Sequence, residues 1–406
     1  MKDIKLGLIG QGLRGTSILN NAILTNDHGK IVAVCDLYED RMDKCVETVE
    51  KADGNTPVKY NDYKKLINES EANTIVIASA WENHVDAAVA AIEAGKAVGL
   101  EVSGAYSIED CWRLVRAWEK NPVPFMFLEN CCYCRREMMV MNMVKKGLFG
   151  EIVHCAGAYC HDLRNEVSYG IENRHYRLRN YLYRNCENYP THELGPIAQI
   201  LNINRGNRMV SLTSVSSKAR GLNEYIKANK PDDELLKDAE FKQGDVITTV
   251  IKCANGETIT LTLSTTLPRF YSRGFTVCGT KGMYEEATDS VYLDSIKYEE
   301  NEVDWSKVNA RNADKYTEEY DVPMWKTYLE EGVKEGHGGV DYLEFKEFFE
   351  CLREDKPMPI DVYDAASWMA VTPLSEKSIM MGGTCVEFPD FTNGKWIKNI
   401  IDEKDI

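Results

Sequence analysis

Apolar positions along the chain fall into two textures. In the first third, short unbroken apolar runs at 4–9, 31–35, 73–78, 97–100 and 123–128 alternate with helix-period spacing over 13–25, 38–52, 83–94 and 107–119. Unbroken runs of that length predict strands buried on both faces, and the spaced stretches predict crossover helices. Strands alternating with helices imply a doubly wound parallel sheet. Beyond about residue 150 the strand-like segments are 151–161, 208–217, 246–253, 258–266 and 273–278, with few long helices between them. Asn255-Gly256 sits between two of them, a hairpin signal. This half predicts an α/β domain with an open, mostly antiparallel sheet. A helix at 132–147 joins the halves, and helical patterning returns at 341–353 and 363–381. The expected division is 1–130 and 131–406, with the polar stretch 223–243 and the acidic stretch 294–321 as surface excursions.

A chain of 406 residues suits two domains, and 44% hydrophobic with 28% charged residues excludes wholesale disorder. The net charge of −16 argues against nucleic acid or an anionic membrane surface as partner. No apolar run approaches the roughly 20 residues of a membrane helix, and the first residues lack a signal peptide's apolar core and cleavage site. The 13 scattered cysteines read as reduced thiols in a cytoplasmic protein.

Gly10-Gln11-Gly12-Leu13-Arg14-Gly15 follows the first strand and opens a helix. Its G-x-G-x-x-G spacing allows a tight turn, lets a pyrophosphate approach the backbone, and lets helix and strand pack closely. Unpaired N–H groups at the helix start then face the phosphates. The second strand ends in Asp36, whose carboxylate can accept both ribose hydroxyls and repels a 2′-phosphate. Together these predict a Rossmann domain with NAD, not NADP, as cofactor. Ligands of such sheets bind outside the carboxyl ends of the strands, which brings in Trp81-Glu82-Asn83-His84, Glu101-Val102 and Glu129-Asn130. From position alone, Trp81 reads equally well as a core aromatic and His84 as a helix-capping group.

In the second half, strand alternation puts Tyr159 and His161 on one face. Arg177 follows, then Tyr189-Pro190-Thr191-His192 at a helix start, where the helix dipole favours a neutral imidazole able to act as a base. Tyr271 lies at a strand junction. Aromatic rings, arginine and histidine on loops are what a sugar needs: hydroxyls take hydrogen bonds and rings cover the apolar pyranose faces. With 21 tyrosines, several will be plain packing. A metal centre is not expected. Alternation puts Cys155 with His161 but His154 and Cys160 on the other face, and Cys131-Cys132-x-Cys134 is not a zinc spacing.

The N-terminal half resembles the sugar oxidoreductases typified by glucose–fructose oxidoreductase and inositol dehydrogenase. Those usually carry Glu-Lys-Pro after the fifth strand, where this chain has Glu101-Val102-Ser103. The closer resemblance is to the NAD-dependent α-N-acetylgalactosaminidases of glycoside hydrolase family 109. It rests on Trp81-Glu82-x-His84, Glu129-Asn130-Cys131-Cys132-Tyr133, Gly157-Ala158-Tyr159-x-His161, Tyr189-Pro190-Thr191-His192-x-Leu194-Gly195-Pro196, Tyr271-Ser272-Arg273 and Asp361-Val362-Tyr363-Asp364. The resemblance implies cofactor contact by Leu13, Arg14, Asp36, Trp81 through His84, Glu101, Val102 and Asn130. It implies substrate contact by Tyr159, Arg177, Tyr189 through His192, and Tyr271. The chain departs from the family at Ser103, usually Pro, and at Glu193, usually Gly; 165–188 and the acidic insert near 294–321 also look unlike it. The implied reaction is glycoside cleavage by transient C3 oxidation, elimination across C1 and C2, water addition and re-reduction. His192 is the expected acid/base, with Tyr271 or Tyr189 at C2. The alternatives are a dehydrogenase releasing a keto-sugar and a non-catalytic sugar sensor. A homo-oligomer is expected, because an open sheet leaves one face to be covered.

Overall fold

A computed structural model describes residues 3–295, 311–332 and 337–398. The part of the acidic insert at 296–310 lies outside the described residues. The chain divides into two compact units: Met1–Tyr133 with Thr327–Ala370, and Cys134–Lys326 with Val371–Ile406.

The first unit is built on six parallel strands, β1 (Lys5–Ile9), β2 (Lys30–Cys35), β3 (Val58–Tyr60), β4 (Thr74–Ile77), β5 (Ala97–Glu101) and β6 (Phe125–Leu128), in the order β3-β2-β1-β4-β5-β6. The order reverses beside β1, the switch point where ligands bind in doubly wound sheets. β4, β5 and β6 are buried at every residue, as strands covered on both faces must be. The expected helix over 13–25 is α-helical from Leu13 to Ile18 and then widens to a π-turn, Leu19–Ile23. The helix Glu39–Asp53 buries Met42, Cys45 and Val49 on one face and stops at the left-handed Gly54, whose N–H returns to Glu50. Short, exposed β3 and the helix Tyr63–Glu69 were not legible in the apolar pattern.

Thr327–Ala370 packs in this unit, although the sequence division places it in the other. The helix Val340–Glu354 lies on the sheet, with the Phe348 ring filling the space a side chain at Gly99 would need, and Asn26 Nδ2 donates to the Tyr342 carbonyl at 3.1 Å. The helix Val362–Met369 starts in an Asp361/Asp364 capping box and sets Trp368 edge-on to Phe127.

Among the described residues, the second unit holds eight strands, in the order β13-β12-β11-β7-β10-β9-β8-β14. They are β7 (Ile152–Cys160), β8 (Met209–Ser216), β9 (Ile247–Cys253), β10 (Thr258–Ser264), β11 (Thr276–Gly279), β12 (Gly282–Glu285), β13 (Ser290–Leu293) and β14 (Val386–Glu387). β7 and β10 run parallel and the other neighbours antiparallel, so the sheet is mixed but mostly antiparallel as expected. The β9–β10 hairpin turns at Asn255-Gly256, with Ile251 opposite Ile259. One face buries Ile247, Ile251, Ile259 and Leu261. The other carries Thr248, Val250, Lys252, Thr258, Thr260 and Thr262, partly or fully exposed. The stretch 223–243 is more than a surface excursion: it begins inside the helix Gly221–Asn229 and anchors with buried Ile226, Leu236 and Phe241.

Candidate functional site

In the first unit, the β1–helix turn has the geometry a dinucleotide requires. Gly10 sits at φ +90°, and a Cβ there would lie 2.5 Å from the Ala78 carbonyl oxygen. A Cβ on Gly15 would come within 2.0 Å of the Gly10 carbonyl oxygen, so only glycine lets the helix approach its strand. At Gly12, the helix N-cap, no side chain among the described residues caps the N–H groups, and the space beside it is open to within 3.5 Å of the Arg41 guanidinium. Asp36 Oδ2 accepts from Gln11 N at 2.7 Å and Oδ1 from Tyr38 N at 3.0 Å. Each oxygen keeps a second lone pair for a ribose hydroxyl. Leu13 and Leu37 stand 69% and 79% exposed. These residues fit a bound dinucleotide.

Arg14 and Asn130 meet on a residue the sequence reading missed. Arg14 Nε donates to Glu101 Oε1 at 2.6 Å, and its two terminal nitrogens reach both oxygens of Asp341 at 2.8 and 3.1 Å. Asn130 Nδ2 donates to the same Asp341 at 2.7 Å, and Glu101 Oε2 accepts from Val102 N at 2.8 Å. Burial pulls the Arg14 pKa down, but Glu101 and Asp341 more than offset it, so the guanidinium stays charged. One helical turn on, Glu344 is wholly buried with neither oxygen hydrogen-bonded among the described residues. Burial, and then the nearby Glu101 and Asp341, raise its pKa well above the ordinary carboxylate value. Acids three apart within the apolar run Val340-Asp341-Tyr342-Leu343-Glu344-Phe345 were the available signal. Nothing local says that they reach Arg14, 327 positions away.

The strand-end loops hold two further findings. Trp81 is a core aromatic, 4% exposed, with Glu82 and Asn83 beside it in a 3₁₀ turn. His84 is buried with Nδ1 2.9 Å from the Ser103 carbonyl and Nε2 2.9 Å from the Ser79 carbonyl, so its ring ties the loops after β4 and β5 together. Burial lowers its pKa against the pull of those carbonyls. Val102 is buried at 2%. Ser103 adopts φ +58°, which a proline, fixed near −65°, could not.

In the second unit the predicted sugar residues converge around Tyr159, at the end of β7. Its ring centroid is 4.6 Å from Tyr189, 5.6 Å from His192, 6.0 Å from His161 and 6.5 Å from Tyr271. Tyr189 Oη and His192 Nε2 are 3.4 Å apart, and Tyr271 stands edge-on to His161 at 5.2 Å. Arg177 is buried with its guanidinium 5.0 Å from the Tyr189 ring centroid. Burial acts to lower its pKa, but Tyr159, Glu166 and their neighbours carry it well above normal. Pro190 is the N-cap of the helix Thr191–Ile200, which puts His192 in its first turn. His161 Nδ1 and the Thr191 hydroxyl are buried without hydrogen-bond partners among the described residues. Glu193 is buried too, its Cβ filling the space beside Gly157 of β7. Such a ring-lined cluster can seat a hydroxylated ligand and move a proton.

Comparison with known proteins assigns the two units. The oxidoreductase family with an NAD-binding Rossmann fold matches residues 4–128. The glycosyl hydrolase 109 C-terminal domain matches 133–398. Alpha-N-acetylgalactosaminidase of Tannerella forsythia is 38% identical over 97% of this chain and 87% of its own. A glycosyl hydrolase family 109 protein of Parabacteroides distasonis is 38% identical over 97% and 88%. Among solved structures, levoglucosan dehydrogenase in complex with NADH and levoglucosan covers 96% of this chain and 100% of its own, at 15% identity and TM-score 0.70. Scyllo-inositol dehydrogenase from Lactobacillus casei with NAD(H) and scyllo-inositol covers 95% and 99%, at 13% identity and TM-score 0.67. These structures share the fold. The class is an enzyme with an NAD-binding Rossmann domain. Within it, the chain belongs to glycosyl hydrolase family 109 and is a glycosidase.

Proposed function

We propose that the chain cleaves terminal α-N-acetylgalactosaminides by a transient redox route in which NAD is regenerated at each turnover. The observation that carries this reading is the Tyr189–His192 pair, 3.4 Å apart, inside a ring-lined cluster of a chain whose other unit is an NAD-binding domain. The name of the Tannerella forsythia relative supports N-acetylgalactosamine as the terminal sugar. When bound, NAD⁺ accepts hydride from C3 of the sugar and returns it after the glycosidic bond is cut. The protein's own share is binding and proton transfer. Leu13, Arg14, Asp36, Glu101 and Asn130 would hold the cofactor. His192 takes the proton of the C3 hydroxyl. Tyr271 or Tyr189 serves the C2 proton, whose loss lets the leaving group depart from C1 before water adds back. Tyr159, His161 and Arg177 orient the ring. The Thr-rich open face of the second sheet supports pairing with a second copy of the chain. Thirteen free cysteines support a reducing, cytoplasmic setting.

The test is turnover of α- and β-linked nitrophenyl sugars in D₂O with and without added NAD⁺. Deuterium at C2 of the released α-linked sugar, without net NADH, is the expected result. NADH accumulating in step with a keto-sugar, and a C2 proton that never exchanges, would make the protein a dehydrogenase instead.

A further inference from the structure

Within the first unit, the ends of β5 and β6 and the helix Val340–Glu354 gather four buried carboxyl groups, Glu101, Glu129, Asp341 and Glu344, around the Arg14 guanidinium. Their hydrogen bonds differ. Glu101 accepts from Arg14 Nε at 2.6 Å and from Val102 N at 2.8 Å. Asp341 accepts two bonds from Arg14 and one from Asn130. Glu129 Oε1 accepts from Cys131 N at 3.0 Å. Glu344 accepts none among the described residues. Hydrogen bonds and a paired cation stabilise the charged form of an acid, and burial without them stabilises the neutral form. Ionising all of these acids against one guanidinium would leave an excess of negative charge inside the fold, which a low-dielectric interior does not support. By its bonding, Glu344 is the member that keeps a proton most readily. The charged and ionisable groups around it are Arg14 on the glycine-turn helix, Glu101 on β5, Glu129 and Tyr133 beyond β6, and Asp341 on its own helix. The turn with Tyr133 also holds Cys131 and Cys132, and Glu347 takes the Tyr133 hydroxyl at 2.5 Å. The π-turn Leu19–Ile23, packed on the same helix, has no ionisable residue.

These groups border the cofactor's reactive end. Asp36, after β2, fits one ribose and the glycine turn after β1 fits the pyrophosphate. A dinucleotide laid across the switch point then extends its nicotinamide toward the carboxyl ends of β4, β5 and β6, on the other side of β1 from β2. The oxidised ring carries a positive charge and the reduced ring none. We propose that Glu344 holds a proton in the cofactor-free protein, releases it when the oxidised nicotinamide binds, and keeps it when the reduced ring binds. The bond that breaks is the carboxyl O–H; the proton passes to the solvent, and the carboxylate left behind offsets the charge of the ring. No electron moves in this step. The buried acid thereby favours oxidised over reduced cofactor, and does so more strongly as pH rises. The inference rests on the NAD-binding domain and not on the glycosidase reading.

The test is calorimetric titration of the cofactor-free wild type with NAD⁺ and with NADH, each in phosphate and in Tris at the same pH. The difference in heat between the two buffers counts the protons released. The expected result is about 0.5–1 proton per NAD⁺ bound and less than about 0.2 per NADH. Across about pH 6 to 9, the ratio of Kd for NADH to Kd for NAD⁺ should rise, with about tenfold per pH unit as the limit for one proton. Glu344→Gln, which keeps the shape and cannot titrate, should cut the release to less than about 0.2 and flatten the ratio. Equal release with both cofactors in the wild type, or none with either, would overturn the proposal without any variant. So would release that persists in Glu344→Gln, which would assign the proton to His84 or to a thiol of Cys131 or Cys132. Absence of NAD⁺ binding would overturn it together with the cofactor site.

Discussion

Replacing Asp341 by alanine removes one carboxylate and leaves two partners behind. Its oxygens hold Arg14 through two bonds and Asn130 through a third, and the residue is fully buried. Breaking a wholly buried ion pair costs about 3–5 kcal/mol. Arg14 keeps 27% side-chain exposure and its bond to Glu101, so its part falls to about 1–2 kcal/mol. The Asn130 amide, left unpaired inside the fold, adds about 1–2 kcal/mol. The expected loss is about 3 kcal/mol, read by urea titration of the cofactor-free protein. Asp341→Asn keeps the shape and one acceptor, and should lose about 1 kcal/mol. Because Arg14 and Asn130 are proposed to contact the cofactor, NAD affinity by calorimetry should also fall about tenfold in the alanine variant. An unchanged midpoint would refute the three-bond role of Asp341. A lower midpoint with unchanged NAD affinity would confine it to stability.

Asp36→Ala should weaken NAD more than NADP in equilibrium titrations, since only NAD offers a 2′-hydroxyl to that carboxylate; equal losses would reduce Asp36 to the turn-holding role seen in its bonds to Gln11 and Tyr38. His192→Ala should lower turnover roughly 10²–10⁴-fold while NAD released on denaturation stays stoichiometric; near-normal turnover would remove His192 from the chemistry. Glu187, wholly buried with Oε2 without a hydrogen-bond partner among the described residues, has its pKa raised from 4.5 to about 8 by burial. Between those values the folded chain holds a proton that the unfolded chain has lost, so this group's contribution to stability is present at low pH and fades as pH rises towards about 8. Glu187→Gln should therefore gain melting temperature relative to wild type across that rise, and parallel curves would show that Glu187 is already ionised in the fold.

The parallel sheet, the glycine turn and Asp36 were legible in the sequence because each is a local pattern: apolar runs of strand length, a fixed glycine spacing, an acid at a strand end. The same holds for the alternation in β7 that sets Tyr159 and His161 on one face, and for the Asn255-Gly256 hairpin. Short β3 and β12 to β14 were not read from the sequence: each has only two to four residues and lies in no apolar run of strand length. Tertiary structure alone decided what long-range packing decides. It returned Thr327–Ala370 to the first unit, where Phe348 covers Gly99 and Asp341 meets Arg14. It turned His84 inward onto two backbone carbonyls, and it gathered Tyr159, Tyr189, His192 and Tyr271 from separate elements around one ring. A sequence period states which face of an element is apolar. Which other face covers it depends on contacts hundreds of residues apart, and those exist only once the chain has folded.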